Sequence, residues 1–321
     1  MMCIISKPET LMIFLLRHLC FSVVCLLCIF SCVSAHAAIT VKDDTGSTVS
    51  LAGPARRIVS LAPHATENLF AAGAGAYVVG VVSYSDYPPE ASRIRRVGDS
   101  NNLDLEAIVA LRPDLIVAWS SGNTKPQIEK LRQLGLKIYA SEPRRFEDIP
   151  ANIESLGRLA GTEAVARQAA AAFRAEYARL RNQYAERRPV SVFFQIWNRP
   201  LMTISGTQMI GDVIRLCGGT NIFADLPVLA PEVNIEAVLA ADPHTIIVSS
   251  AGEKRAPWLD EWRRWPQLQA VKKRGRLLAI RPDLITRPTP RILEGARLIC
   301  EHLDQVRSSI PSQPAFNPDN R

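Results

Sequence analysis

Residues 105–120 read LEAIVALRPDLIVAWS and residues 235–250 read IEAVLAADPHTIIVSS, two versions of one phrase. They match in register without a gap: Glu106 falls on Glu236, Ala107 on Ala237, Pro113 on Pro243, Ile116 on Ile246 and Ser120 on Ser250. Each version reads as a short amphipathic helix, a stop carrying proline, and a buried apolar strand, LIVAW or IIVSS. A helix leading straight into a buried strand is the repeating element of an α/β layer, so a chain that writes it twice is confined to two similar halves. In both versions the glutamate falls in the first helical turn, where the helix dipole favours a carboxylate.

The flanking sequence continues the alternation. ITVKDDTGSTVSLAG reads as a hairpin turning at Asp44-Thr45-Gly46, RIVSLAP as a strand, ATENLFAAGAG as a helix stopped by glycine, and YVVGVV as another strand. From Thr162 to Arg187 apolar residues recur at Val165, Ala169, Ala172, Phe173, Tyr177, Leu180 and Tyr184, a helical period with Thr162 as N-cap and Pro189 as stop. The expected architecture is therefore α/β: two Rossmann-like lobes, each with a central sheet, joined by one long α-helix, with a ligand cleft between them. The expected boundaries are a signal peptide at 1–37, an N-terminal lobe at 38–160, the connecting helix at 161–188, a C-terminal lobe at 189–307 and a flexible tail at 308–321. A helix between the lobes resists wide hinge opening, so the cleft is expected to be rather fixed.

At 321 residues, with 47% hydrophobic and 21% charged content, the chain suits two ordinary globular domains. Its N-terminus carries Arg17 and His18, an uncharged apolar run from Leu19 to Val33, then Ala35-His36-Ala37. That is the pattern of a cleaved secretory signal peptide, and the run is shorter than a membrane span needs. Export with a lipid anchor on Cys32 is the alternative. Five of seven cysteines precede residue 38, leaving Cys217 and Cys300. Two thiols in an exported chain allow one internal pairing, so a Cys217–Cys300 disulfide is expected. The net charge of +7 comes from arginines scattered over helices and loops, such as Arg174, Arg179, Arg181, Arg187 and Arg188. Without an aromatic-interleaved basic motif this points to a solvated face and not to nucleic acid.

Reaction motifs are missing. GAGAYV at 73–78 lacks the third glycine of a dinucleotide loop and follows a helix instead of opening one, and there is no phosphate loop, nucleophile elbow or His-Glu-x-x-His. The histidines are isolated. His64, in SLAPHATE, is placed by sequence in a loop between strand and helix; it is either a polar surface group or a ligand for cobalt or iron. The aromatics say more. Tyr84 and Tyr87 in SYSDYPP, Trp119 and Trp197 each fall at or just beyond the end of an apolar strand, where open α/β sheets present ligand loops. They imply a flat, largely apolar ligand held between the lobes. Trp258, Trp262 and Trp265 recur at helical spacing and are expected to pack their own helix.

From RIVSLAPHATENLFAAG through LEAIVALRPDLIVAW to CGGTNIF and PRILEGARLIC, the chain resembles the periplasmic substrate-binding proteins of ABC importers whose lobes are joined by a single helix. SYSDYPP and the cysteines of CGGTNIF and LIC most resemble the cobalamin-binding members. The resemblance implies a non-enzymatic, periplasmic, monomeric protein that captures cobalamin as a transported ligand, with no cofactor or structural metal, and delivers it to an ABC permease dimer. Glu106 and Glu236 would then dock onto permease arginines, a pseudo-twofold surface meeting a twofold partner. Tyr84 and Trp119 match aromatic ligand contacts of that family, and Met202 falls near another. Ser100 and Ala230 stand where its best-known member has tryptophan. Within the class, haem would call for Tyr84, Tyr87 or His64, and a ferric siderophore for cleft arginines such as Arg199, Arg287 and Arg291. An exported α/β enzyme is the remaining alternative.

Overall fold

The computed structural model describes residues 38–250 and 256–311. The expected signal peptide with Cys32, and the expected tail beyond residue 311, lie outside the described residues. Strands β1 (Ile39–Lys42) and β2 (Thr48–Leu51) form the hairpin. Its turn is held by Asp43, whose Oδ1 accepts from the amides of Thr45 and Ser47 at 3.0 and 2.9 Å, an Asx turn.

Two four-stranded parallel sheets follow. The first, in order β4-β3-β5-β6, uses β3 (Ile58–Ser60), β4 (Val78–Val81), β5 (Leu115–Trp119) and β6 (Ile138–Ser141). The second, in order β8-β7-β9-β10, uses β7 (Val190–Gln195), β8 (Gly219–Asn221), β9 (Thr245–Ser249) and β10 (Leu277–Ile280). The topology is the same in both lobes, with β3 corresponding to β7 and β5 to β9. Strand β5 is buried until its last residue and β9 throughout, as expected where helices cover both faces of a parallel sheet.

The first sheet is flanked by α1 (Pro63–Ala71), α2 (Leu105–Ala110), α3 (Lys125–Gln133) and α4 (Asp148–Ala160). Helix α5 (Glu163–Tyr184) leads to the second sheet, around which lie α6 (Met209–Leu216), α7 (Ile235–Ala241), α8 (Pro257–Trp262), α9 (Gln269–Lys272) and α10 (Ile292–Ser308). Helix α1 stops at Gly73, as the sequence suggested: its φ is +78°, and an added Cβ would lie 2.9 Å from Val165.

The duplicated phrase is repeated in its fine geometry. Asp104 caps α2 by accepting from the amide of Ala107 at 2.9 Å, and Asn234 caps α7 by accepting from Ala237 at 2.8 Å. At the stops, Arg112 and Asp242 occupy equivalent positions and both adopt a left-handed backbone, φ 45° and 39°. The prolines that follow bar helix continuation, and this reversal delivers the chain into β5 and β9.

Helix α5 differs from expectation in three respects. It covers 163–184 instead of 161–188. Thr162 precedes it but does not cap it with its side chain, because its hydroxyl donates to Ala72 O at 2.6 Å. The buried stripe is Ala166, Ala170, Phe173, Leu180 and Tyr184, with Val165 and Ala172 exposed; alanine is too small and abundant here for hydropathy alone to set the phase. One apolar cluster includes Leu51, Ile58 and Ile153 from the first lobe, Phe173, Leu180 and Tyr184 from α5, and Val192, Ile214 and Ile299 from the second. The connecting helix is thus embedded in a shared core. Several of the scattered arginines sit on solvated faces in ion pairs, Arg174 with Glu154 and Arg179 with Glu176.

Cys217, just after α6, and Cys300, inside α10, form a disulfide with Cα atoms 4.5 Å apart.

Candidate functional site

On the first lobe the carboxyl ends of β3, β4 and β5 converge. Trp119 ends β5, half-buried, with its ring edge-on to His64 at a centroid distance of 5.5 Å. Gly122 lies against the indole: a Cβ there would come within 1.9 Å of ring carbons, so only glycine lets the ring take this position. The buried Asn123 fastens the surroundings, accepting from the Trp119 amide at 2.7 Å and donating to Leu61 O and Ser100 O, both at 3.0 Å. Beyond β4, Tyr84 stands 75% exposed with a left-handed φ of 65°. It borders a cavity of about 640 Å³ lined also by Asp86, Arg96, Asp99 and Ser100.

On the second lobe Trp197, beyond β7, is 56% exposed. Its indole nitrogen donates to Arg199 O at 3.2 Å and its ring meets Trp258 edge-on at 6.2 Å. Met202 pairs through its backbone with Trp197 and with Glu232. Beneath them the buried Gln195 accepts from the Trp262 indole at 2.7 Å and donates to Asn198 at 3.0 Å. Trp262 is core, and Trp258 and Trp265 pack partly buried against the same cluster, as expected. Large aromatics are thus held out to solvent at the strand ends of both sheets, side chains of the kind that pack against a flat apolar body.

His64 corrects its sequence placement. It lies in the first turn of α1, not in a loop, and is buried, with Nε2 3.3 Å from Ser141 Oγ. Burial, reinforced by the Arg287 charge, lowers its pKa to about 4. His302 is similar: burial lowers it to about 4. Its Nε2 lies 2.7 Å from Thr245 Oγ1, which spends its own proton on Arg276 O at 2.6 Å, so the imidazole is the donor. Both rings stay neutral in the folded protein while the unfolded chain takes up protons below about pH 6.5, so stability is lost as pH falls from 6.5 towards 4. The loss is about 3 kcal/mol for each histidine. The Asp44 and Glu67 carboxyls, raised by burial, act in the opposite sense. Comparing wild type with His64→Gln and His302→Gln in urea melts at pH 7.5 and 4.5 isolates the histidine contribution; each variant is expected to lose less on acidification.

Arg287 and Arg291, candidates for holding an anionic ligand, are already neutralised. Arg287 Nη1 lies 2.8 Å from both Glu67 and Asp86, and Arg291 bonds Asp283 at 2.8 Å, sits 3.5 Å from Glu67 and covers the Tyr87 ring at 4.0 Å. Arg199 is exposed, 3.7 Å from Glu261. Among the described residues no group of three or more His, Cys, Asp or Glu side chains could hold a metal ion.

Glu106 and Glu236 lie in the first turns of α2 and α7, both exposed. Neither carboxylate has a partner among the described residues. Their helices are capped by Asp104 and Asn234, so the glutamates are not needed for capping.

The profile of the periplasmic binding protein family matches residues 58–284, spanning both sheets and the helix between them. The chain belongs to this family. Among its relatives, the vitamin B12-binding protein of Vibrio cholerae is 39% identical over 259 residues, 81% of this chain and 93% of that one. That of Photorhabdus laumondii is 36% identical, covering 77% and 88%. The crystal structure of the periplasmic vitamin B12 binding protein BtuF of Vibrio cholerae superposes with a TM-score of 0.72 over 79% of this chain and 98% of that one. The periplasmic heme-binding protein RhuT of Roseiflexus, 24% identical with a TM-score of 0.70, shares the fold. Within this periplasmic binding protein, sequence reasoning singled out the exposed aromatics but missed Gly122, Asn123 and Gln195, which hold them. The one available signal was a glycine and an amide three and four residues after a strand-end tryptophan.

Proposed function

We propose that this protein captures vitamin B12 in the cleft between its lobes and hands it to an inner-membrane ABC importer. The observation that carries the reading is 39% identity to a vitamin B12-binding protein over 81% of the chain, with aromatic side chains exposed at the strand ends of both lobes. Tyr84 and Trp119 on one side and Trp197 and Met202 on the other supply apolar and stacking contacts, with His64 behind Trp119. Function is binding and docking without bond chemistry, in the periplasm, as a monomer, after removal of residues 1–37; retention on a lipid at Cys32 is the alternative. Glu106 and Glu236 meet the two permease subunits.

A ferric siderophore is less well served, since Arg287 and Arg291 are paired with Glu67, Asp86 and Asp283. Haem would find in His64 a buried ring closed off by Trp119, leaving the exposed Tyr84 or Tyr87 as its ligand. Calorimetric titration of residues 38–321 with cyanocobalamin, and with haemin in parallel, decides. One-to-one binding of cyanocobalamin is expected; binding of haemin alone overturns the reading.

Trp119→Ala is expected to weaken cyanocobalamin binding by about 10- to 100-fold, about 1.5–3 kcal/mol, the usual loss for a buried aromatic anchor. The ring's burial is partial, so its removal leaves Tm within a few degrees of wild type. An unchanged Kd would place the ligand elsewhere.

A further inference from the structure

We propose that Arg287 of the second lobe is a positioning residue for the cleft: by holding the main chain of Tyr84 on the first lobe, it fixes that ring as a pre-set wall for the ligand. The inference rests on the binding reading above.

Tyr84 combines two features that need an external cause. A left-handed backbone is unfavourable for a residue with a bulky side chain and persists only where the surroundings impose it. An aromatic ring left three-quarters exposed gains nothing from folding to hold it there. The neighbours of Tyr84 are tied within their own lobe: Ser83 N donates to Gly98 O at 2.9 Å, and Ser85 Oγ meets Thr66 Oγ1 at 3.1 Å. The Tyr84 carbonyl is held from the other lobe, accepting from Arg287 Nη2 at 3.0 Å. The same guanidinium donates through Nη1 to Glu67 of α1 and to Asp86, both at 2.8 Å.

One planar fork thus spans three oxygens, on α1, on the Tyr84 carbonyl and on Asp86. A lysine ammonium, a single point charge on a flexible stem, lacks that rigid fork. The anchor is itself firm. Thr289 Oγ1 donates to Glu67 Oε2 at 2.9 Å, Asn68 Nδ2 donates to Pro288 O at 3.2 Å, and Arg291 approaches Glu67 at 3.5 Å. Because Thr289 and Arg291 remain on Glu67, replacing Arg287 does not leave that buried carboxylate without partners. Ligand binding then pays little to order the Tyr84 loop, which is the advantage of pre-organisation.

The test uses Arg287→Lys and Arg287→Met, each alone and combined with Tyr84→Ala, in the mature protein. Without ligand, amide exchange over residues 83–87 is expected to rise at least tenfold in both Arg287 variants while exchange in β5 stays slow. With cyanocobalamin, each Arg287 variant is expected to raise Kd by roughly tenfold, and to add less than twofold in the Tyr84→Ala background. Unchanged exchange over 83–87 overturns the proposal, as do losses that multiply in the double variants. If the wild-type protein does not bind cyanocobalamin, the functional reading fails, and the exchange measurement still decides the role of Arg287.

Discussion

Reversing both Glu106 and Glu236 to arginine is expected to stop delivery of ligand to the proposed importer and to leave ligand capture intact. Both carboxylates are exposed and without partners among the described residues, on short helices whose caps are supplied by Asp104 and Asn234. Reversal therefore costs the fold a favourable helix-dipole interaction and adds an unfavourable one of similar size, together about 0.6–2 kcal/mol at each site. At an interface with arginines the same change turns attraction into like-charge repulsion of several kcal/mol, so uptake should fall by at least about 100-fold. Uptake of labelled cyanocobalamin into vesicles carrying the reconstituted importer measures delivery, and calorimetry measures capture. Single reversals are expected to be intermediate, since one lobe can still engage. Normal uptake by the double variant would remove both residues from the docking surface. A comparable rise in Kd would place them at the ligand instead.

Opening the disulfide is the second large effect, and it falls on stability. Cys217 and Cys300 are completely buried and separated by 83 residues, a span containing β8, α7, β9 and β10 and therefore most of the second lobe. By chain entropy, a loop of this length restricts the unfolded state by about 4–5 kcal/mol, and removing such bonds costs about 2–5 kcal/mol. A Cys217→Ser, Cys300→Ser protein is expected to unfold at markedly lower urea concentration, as is wild type in reductant. Ligand affinity should persist wherever the chain remains folded, because neither sulfur lies at the strand ends. A midpoint unchanged to within a few tenths of a molar would show that the shared core alone holds the second lobe.

Much of this protein is legible before any coordinates. The duplicated phrase contains its own local instructions, an apolar helical face, a proline after the stop and a buried apolar strand, and each acts within a few residues of itself. Two copies therefore imply two α/β lobes. The exposed aromatics were equally visible, because an apolar run ending in Trp or Tyr marks a strand end whatever surrounds it. The pairing of Cys217 with Cys300 followed from there being no other partner after residue 37.

What the sequence could not decide depends on which distant groups meet. The phase of α5 turned on Ala166 and Ala170, whose burial is set by the lobes packed against them and not by hydropathy. His64 passed for a loop residue because Pro63 opens a helix as readily as it breaks one, and its burial beneath Trp119 is a tertiary contact. Arg287 and Arg291 looked like free cations. The partners of Arg287, Glu67 and Asp86, lie some two hundred residues earlier in the chain, and charge neutralisation at that separation has no local signature, whereas Arg291 pairs with the nearby Asp283 as well as approaching Glu67. The sequence by itself determined the two-lobed fold and the placing of aromatics at the strand ends. Only the tertiary structure decided which charges remain unpaired, because pairing depends on distance in space, which the order of residues does not record.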